Sequence, residues 1–183
     1  MLIFVLHVNS LFGQAGRCNE TSRGTAIDWT PEIKLRWSDF RADKKGNVAF
    51  SVASSSCGFG YNGYVRGEEI RVSVFVRFYC EESWKEPGFS QPDVLQHEQL
   101  HFDICELYGR KLYQGIHALR AKKRLNEKNL QKLYNSLVKE YDAFQDRYDR
   151  ETKHSTVGGA QKQWNERIKN DLDRLAAFAD YKE

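Results

Sequence analysis

Several features are missing from this sequence, and their absence excludes whole classes of protein. Its 183 residues contain no internal repeat and no Pro/Ser-rich linker. The composition is 40% hydrophobic and 29% charged, which excludes collagen-like, low-complexity and wholly disordered chains. A mean hydropathy of −0.67 excludes a protein with several membrane spans. The length instead predicts one domain with a core of its own.

A large excess of positive charge is also missing. The chain has 28 Lys and Arg residues against 25 Asp and Glu residues, which gives a formal net charge of +3. No basic run is long enough to form a strong patch, and the short basic string at 120–124 is interpreted as a solvated helix end. We therefore expect no nucleic-acid partner.

The first sixteen residues contain no Asp, Glu, Lys or Arg. An apolar run at 2–6 and the triplet Gly13-Gln14-Ala15 resemble the hydrophobic region and cleavage site of a secretory signal peptide. No basic residue precedes the run, so an N-terminal strand is the alternative. The segment is too short to span a bilayer, and we expect no stable membrane insertion. We predict a signal peptide over 1–15, a single domain over 16–183, and a secreted, periplasmic or cell-envelope location.

The four cysteines form no C-x-x-C motif, which argues against a zinc finger or zinc ribbon. An oxidising compartment would permit a disulfide. We predict the pair Cys57–Cys80 because both residues lie in the strand-rich part, although three pairings of four cysteines are possible. The other two cysteines are Cys18 and Cys105.

Strand patterns come first along the chain. Alternating apolar residues over 69–79 give the best strand, and shorter strands are predicted over 33–37 and 48–53. The mixed second face of the strand over 69–79 makes it our candidate for pairing with an extended substrate by β-addition. Four glycines are predicted to mark turns: Gly58, Gly60, Gly63 and Gly67.

Helical periodicity follows. One helix is predicted from a capping box at 90–93 to about Ala121, a second after Asn126, and a third after Gly159. A polar segment over 148–157 is predicted between the last two. Strands followed by helices predict an α+β fold in a single unit.

Residues 97–101 spell His-Glu-Gln-Leu-His, an H-E-x-x-H motif at the start of the first predicted helix. Positions four apart lie about 40° apart around a helix, so His97 and His101 can bind one metal ion. Glu98 can accept a proton from a metal-bound water. The ligand types indicate one Zn²⁺ per chain. The alternative is a solvated helix face that carries these residues by chance.

The third metal ligand must come from elsewhere, because the other candidates on this helix face away from the two histidines. His7 lies in the predicted signal peptide, and His117 is about 25 Å further along the helix by its rise. Elimination favours His154 in the polar segment. Asp149 and Glu151 remain alternatives that would supply oxygen.

Two more residues have predicted supporting roles. Tyr148 is the candidate donor to the oxyanion of peptide hydrolysis, with packing at the end of a helix stripe as an equal alternative. Asp103 either holds a ligand histidine or a nearby backbone group, or forms a salt bridge on the helix surface.

Residues 97–104, followed by Glu106-Leu107-Tyr108 and Arg110, resemble the core signature of a bacterial domain-of-unknown-function family. Members of that family are described as secreted zinc-dependent proteases. The resemblance includes shorter stretches at 35–40 and 148–154 and spans about residues 35 to 172. Ser155 departs from the pattern, which has glycine after the histidine.

The resemblance implies a zincin-like fold, with an N-terminal antiparallel β-sheet, the H-E-x-x-H helix and two further long helices. It also implies His97, His101 and His154 as metal ligands and Glu98 as general base. We therefore expect a secreted zinc metallopeptidase that cleaves a peptide or protein substrate through a zinc-bound water activated by Glu98. The alternatives are a non-catalytic zincin-like binding module and a zinc hydrolase of a non-peptide amide such as cell-wall material. The sequence predicts no oligomeric state.

Overall fold

The structure, a computed structural model, describes residues 17–44, 51–66 and 69–181. The predicted signal peptide and Gly67 lie outside the described residues, as do residues 48–50 of the predicted strand over 48–53. In chain order the elements are β1 (Asn19–Thr21), β2 (Gly24–Asp28), β3 (Ala53–Ser54), β4 (Cys57–Arg66), β5 (Glu69–Tyr79), β6 (Trp84–Lys85), α1 (Pro92–Ala121), α2 (Glu127–Thr152) and α3 (Gly158–Arg174).

The α+β prediction is confirmed, because an antiparallel sheet is followed by three helices. The main sheet has four strands in the order β1-β2-β5-β4, and β3 pairs with β6 in a small second sheet. The predicted strand over 69–79 is β5, with the predicted bounds. Its apolar residues Val72, Val74, Val76 and Phe78 are buried in the core with α1.

The prediction that β5 pairs with substrate is wrong for residues 74–79, because both edges of the strand are occupied there. Strand β4 pairs with it along its whole length. On the other edge, β2 pairs with its last three residues. Further along that edge, the Trp29 backbone N–H donates to the Val76 carbonyl, and the Val74 N–H donates to the Tyr181 carbonyl. Over residues 74–79 of β5, an added strand would therefore have no edge to pair with.

Three glycines predicted as turns, Gly58, Gly60 and Gly63, lie instead within β4. A Cβ at Gly60 would lie 2.5 Å from the ring of Phe75, its cross-strand partner. Because the aromatic ring fills the space where a side chain would project, glycine is required there by packing and not by a turn.

The predicted strand over 33–37 is also wrong. Residues 33–36 have no regular structure, and Trp37–Asp39 form a single 3₁₀ turn. The Leu35 N–H donates to the side chain of Gln99 at 2.7 Å, and the Arg36 N–H donates to the carboxylate of Asp39 at 2.7 Å. Side chains therefore satisfy the backbone donors that a strand would have used.

The helix predictions hold for the extent of α1 and for the start of α2, where Asn126 accepts a hydrogen bond from the Asn129 N–H. The predicted capping box at 90–93 is wrong, because the residue before α1 is Gln91 and its side chain caps no backbone N–H; Pro92 does occupy the first turn. The predicted polar segment is shorter than expected, because α2 continues to Thr152. Tyr148 and Asp149 therefore lie on a rigid helix. The third helix begins at Gly158, so the two glycines predicted to precede it form its first residues.

The disulfide joins Cys18 to Cys80, so the predicted Cys57–Cys80 pair is wrong. The hairpin of β1 and β2 pairs with the end of β5 and brings Cys18 to Cys80. Cys57 and Cys105 are free thiols. Among the described helices, none is both long enough and apolar enough to cross a membrane.

Candidate metal centre

Two histidines of α1 and one aspartate of α2 converge on a single point. The Nε2 atoms of His97 and His101 are 3.2 Å apart, and Oδ1 of Asp149 lies 3.0 Å from each of them. In the part of the chain that the structure describes, these three form the one group of ligating side chains that could hold a metal ion. The arrangement follows from local structure, because the histidines are one turn apart on α1 and α2 packs against them.

Gln145 determines which ring nitrogen of His101 carries the hydrogen. Its amide Nε2 donates to the His101 backbone carbonyl at 3.1 Å, which turns Oε1 toward the ring. This oxygen lies 2.7 Å from Nδ1 of His101 and can only accept a hydrogen bond. Nδ1 therefore carries the hydrogen, and the lone pair of Nε2 points toward Asp149.

His97 has an equivalent partner in Gln161. Its Oε1 lies 3.1 Å from Nδ1 of His97, and its Nε2 donates to Asn165 at 2.9 Å. The Nε2 atom of His97 is thus left with a free lone pair as well. Both ligand histidines have the outer partner that metal-binding histidines in proteins commonly have.

The spacing of the three donor atoms fits a metal ion. Ligands at about 2.05 Å from a tetrahedral centre lie about 3.3 Å from one another, close to the separations of 3.0–3.2 Å found here. Two nitrogen lone pairs and a carboxylate oxygen repel one another at this distance unless a cation or a proton lies between them. The donor set therefore fits a bound cation.

The charges within the cluster are strongly coupled. Burial alone would raise the pKa of Asp149, but its contacts with the imidazoles of His101 and His97, which favour the carboxylate whenever either ring is protonated, outweigh burial and hold that pKa well below its usual range. Burial alone would lower the pKa of His101, but the hydrogen bond to Asp149 and the charge of Glu98 outweigh it and raise that pKa. A proton on His101 can therefore take the place of a cation.

Glu98 lies in the same cleft as the three donor atoms, and 4% of its surface is exposed. The hydroxyl of Ser55 donates to its Oε2 at 2.6 Å. Ser55 lies between β3 and β4, on the wall opposite α2. Its hydrogen bond fixes one carboxylate oxygen of Glu98, and the other oxygen has no partner among the described residues.

The cleft has a volume of about 550 Å³. Its floor is the first three turns of α1. One wall is the segment 51–57, which contains β3, and the other is formed by α2 side chains from Tyr141 to Asp149, with His154 at the end. We refer to this space as the metal cleft.

Tyr148 lies beneath the metal cleft and does not line it. Its ring stacks on His97 with the centroids 4.5 Å apart, and its side chain is fully buried. Its hydroxyl is within hydrogen-bond distance of the His97 carbonyl (3.1 Å) and of Gln161 Oε1 (2.9 Å). Burial raises the pKa of the hydroxyl well above its usual range. These contacts support His97, and a role in catalysis stays a prediction.

The structure does not place His154 among the three converging donors. Its Nδ1 lies 3.6 Å from Oδ1 of Asp149, and 59% of its side chain is exposed. It follows α2 in a turn where Lys153, His154 and Ser155 all have positive φ, at 47°, 50° and 73°. Ser155 thus occupies a conformation that favours glycine. The role of His154 as a metal ligand stays a prediction.

Two other predicted residues have different partners. Glu151 accepts a hydrogen bond from the Trp164 indole N–H at 2.9 Å and is not part of the converging group. Asp103 accepts hydrogen bonds from the Trp29 indole and from the Gln99 amide, both at 2.9 Å. It therefore anchors the segment after β2 to α1. Its partners among the described residues are these two side chains, and not a ligand histidine, a backbone group or the cation of a surface salt bridge, so the predicted roles are wrong.

Sequence reasoning missed the supporting residues Ser55 and Gln145. Gln145 lies four residues before Asp149 on the same helix face, a spacing that could have identified it once Asp149 was placed on a helix. Ser55 has no such signal, because it reaches Glu98 from a loop that is 43 residues away in sequence.

Comparison with known proteins adds one finding. Residues 82–155 match the family described as bacterial protein of unknown function (DUF922). The matched region begins before β6 and includes α1, α2 and His154, so it contains every donor of the metal centre. No curated protein and no solved structure matches the chain.

Proposed function

We propose that the protein is an exported, zincin-like zinc metallopeptidase. The observation that carries this proposal is the convergence of His97 Nε2, His101 Nε2 and Asp149 Oδ1 in a cleft that also holds the carboxylate of Glu98. Two imidazoles from an H-E-x-x-H helix and one further ligand leave a tetrahedral ion with one open position. This is the ligand arrangement of a catalytic zinc site.

Asp149 is the third ligand in this proposal. Its Oδ1 is equally distant from both histidine nitrogens, and it is supplied by a regular helix. His154, which the sequence favoured, contacts Asp149 from the rim of the metal cleft. Zinc accepts carboxylate oxygen as readily as imidazole nitrogen in the third position.

When bound, Zn²⁺ would polarise a substrate carbonyl and lower the pKa of a coordinated water toward neutrality. The protein contributes the remaining functions. Glu98 accepts the proton of the attacking water and passes it to the leaving amine. Ser55 orients the Glu98 carboxylate through its 2.6 Å hydrogen bond. Gln145 and Gln161 keep the histidine lone pairs turned inward.

Two features support a peptide substrate and export. The wall formed by residues 51–57 contains strand β3, and an extended peptide can lie beside it in the open metal cleft. The Cys18–Cys80 disulfide suits an oxidising compartment outside the cytoplasm.

The test is a comparison of Glu98→Gln with the wild-type protein, both loaded with zinc. We expect the variant to bind zinc as the wild type does and to lose hydrolysis of a mixed peptide library by a factor of about 10²–10⁴. The matched control is Glu140→Gln, because Glu140 is an exposed acid of α2 outside the metal cleft. It should leave hydrolysis unchanged.

Two results would contradict the proposal. The first is hydrolysis that survives in Glu98→Gln, since the proton acceptor would then lie elsewhere. The second is a zinc-loaded wild-type protein that cleaves no peptide in the library. Cleavage of cell-wall amides in that case would indicate the non-peptide hydrolase.

A further inference from the structure

The charge of the metal cleft is opposite to that of the chain as a whole. The protein has a formal net charge of +3. Among the described residues, however, the side chains that line the metal cleft include no Lys and no Arg. Four carboxylates line it: Glu98, Asp142, Asp146 and Asp149.

Two of these carboxylates have a role in the proposed function. Asp149 and Glu98 together carry two negative charges, which balance the two positive charges of a Zn²⁺ ion. Asp142 and Asp146 contribute two more negative charges that neither metal binding nor proton transfer uses. The metal cleft therefore remains negative when the metal ion is bound.

Asp142 and Asp146 lie one turn apart on α2, on the face that carries Asp149 one turn further along. Both are exposed, and neither forms an ion pair within the described ranges. The neighbouring cation Arg147 does not neutralise them, because its guanidinium stacks on the rings of Phe144 and Trp164 at 4.9 and 5.2 Å. The two carboxylates are thus available to a ligand in the metal cleft.

We propose that Asp142 and Asp146 make the enzyme selective for peptides that carry a Lys or Arg side chain close to the scissile bond. This rests on the proposed function, which supplies the cleft and its reacting centre. A cationic side chain that extends from a peptide bound beside the 51–57 wall would face these carboxylates across the cleft. Because both are exposed, each should contribute about two- to fivefold to binding.

The experiment measures binding without turnover. Zinc-loaded Glu98→Gln protein is titrated into fluorescently labelled peptides of one sequence that differ at a single position, which is Lys, norleucine or Glu. The N-terminus is acetylated in one set and free in another, which separates a side-chain amine from a terminal amine. The variants are Asp142→Asn, Asp146→Asn and the double variant, all made in the Glu98→Gln background, with Glu140→Gln as the charge-matched control outside the cleft.

We expect the acetylated Lys peptide to bind about tenfold more tightly than the norleucine peptide, and the Glu peptide to bind most weakly. The preference should fall toward parity in the double variant, persist in Glu140→Gln, and weaken as salt is raised from 50 to about 500 mM. Equal binding of the Lys and norleucine peptides would overturn the proposal, as would a preference that survives in the double variant. A preference found only with free N-termini would overturn it in favour of terminal-amine recognition.

Elemental analysis of the same samples separates this proposal from the proposed function. Protein that binds zinc but shows no Lys preference refutes the specificity alone. Protein that prefers Lys peptides but binds no zinc supports the charge selection and refutes the metallopeptidase.

Discussion

Helix α1 contributes to two polar clusters, and they differ in whether their charges are balanced by groups of the protein. The deeper cluster consists of Glu106, Arg110 and Tyr181, and we call it the closed cluster because its members satisfy one another's hydrogen bonds. Arg110 donates to the carboxylate of Glu106 at 2.7 Å and to the Leu172 carbonyl at 2.9 Å, and the Tyr181 hydroxyl donates to Glu106 as well. Donors face acceptors throughout, as buried charges require.

The cluster at the start of α1 consists of His97, His101 and Asp149, and we call it the open cluster because its acceptor atoms face one another without a donor among the described residues. His97, His101 and Asp149 direct lone pairs at one another, and no donor in the described chain lies between them except a proton that His101 can take up. The closed cluster is buried, whereas His101 and Asp149 of the open one are partly exposed. Within the described ranges, the open cluster lacks a positive charge that a metal ion could supply, whereas the closed cluster contains its own cation, Arg110.

The largest expected effect on stability comes from removing the cation of the closed cluster. Arg110→Met leaves the Glu106 carboxylate buried without its cation and should lower the free energy of unfolding by about 3–5 kcal/mol. Zinc content should not change. Urea unfolding measures the loss, and Lys169→Met, which breaks the exposed Lys169–Asp173 pair, is the control with an expected cost below about 1 kcal/mol. Equal costs for the two variants would contradict the contrast.

Zinc binding to the open cluster should have the next largest effect on the free energy of unfolding. Zinc at 100 times its dissociation constant should raise the free energy of unfolding by about 2.7 kcal/mol, and a chelator should remove the gain. His101→Ala should abolish the response to zinc. Thermal unfolding with and without zinc measures it, and an undiminished zinc response in His101→Ala would place the ion elsewhere.

A smaller effect, on zinc affinity, should follow from removing the side chain that orients His101 in the open cluster. Gln145→Leu removes the amide that orients His101 and should weaken zinc binding by about 10- to 100-fold. Gln131→Leu changes an exposed glutamine on the same helix and is the matched control. Competition with a zinc-binding dye measures both affinities. If the two variants bind zinc equally well, Gln145 has no orienting role.

The smallest effect concerns the backbone beside the open cluster. The turn that carries His154 has three consecutive non-glycine residues with positive φ, whereas the closed cluster is built mainly on regular helix. Ser155→Gly should stabilise the protein by up to about 1 kcal/mol, because glycine adopts φ of 73° without strain. Ser136→Gly, within α2, should cost about 0.5 kcal/mol. A loss of stability in Ser155→Gly, measured by urea unfolding, would contradict this interpretation of the turn.

The parts predicted well from the sequence are those determined by local pattern. The bounds of β5 and α1 and the start of α2 follow from alternation, helical periodicity and capping residues. The end of α2 was missed because no glycine marks it: the left-handed residue there is Lys153. Asp149 was therefore predicted in a loop. Without its position on α2, the sequence offered no geometric reason to prefer Asp149 to His154 as the third ligand.

The errors arise where distant segments meet. Strands β1 and β2 are too short to show a pattern, so the pairing that brings Cys18 to Cys80 could not be predicted. Ser55 contacts Glu98 from 43 residues away, and Gln161 contacts His97 from 64 residues away. The H-E-x-x-H motif located the site because its two histidines and its glutamate are adjacent on one helix, whereas the residues that support them are not.

The most direct test of the metal centre is zinc content by elemental analysis of the purified wild-type protein, Asp149→Asn and His154→Ala. We predict about one Zn²⁺ per chain in the wild type and in His154→Ala, and none in Asp149→Asn. Zinc that is retained in Asp149→Asn and lost in His154→Ala would contradict the assignment of Asp149. A wild-type protein that takes up no zinc on reconstitution would contradict the metal centre itself.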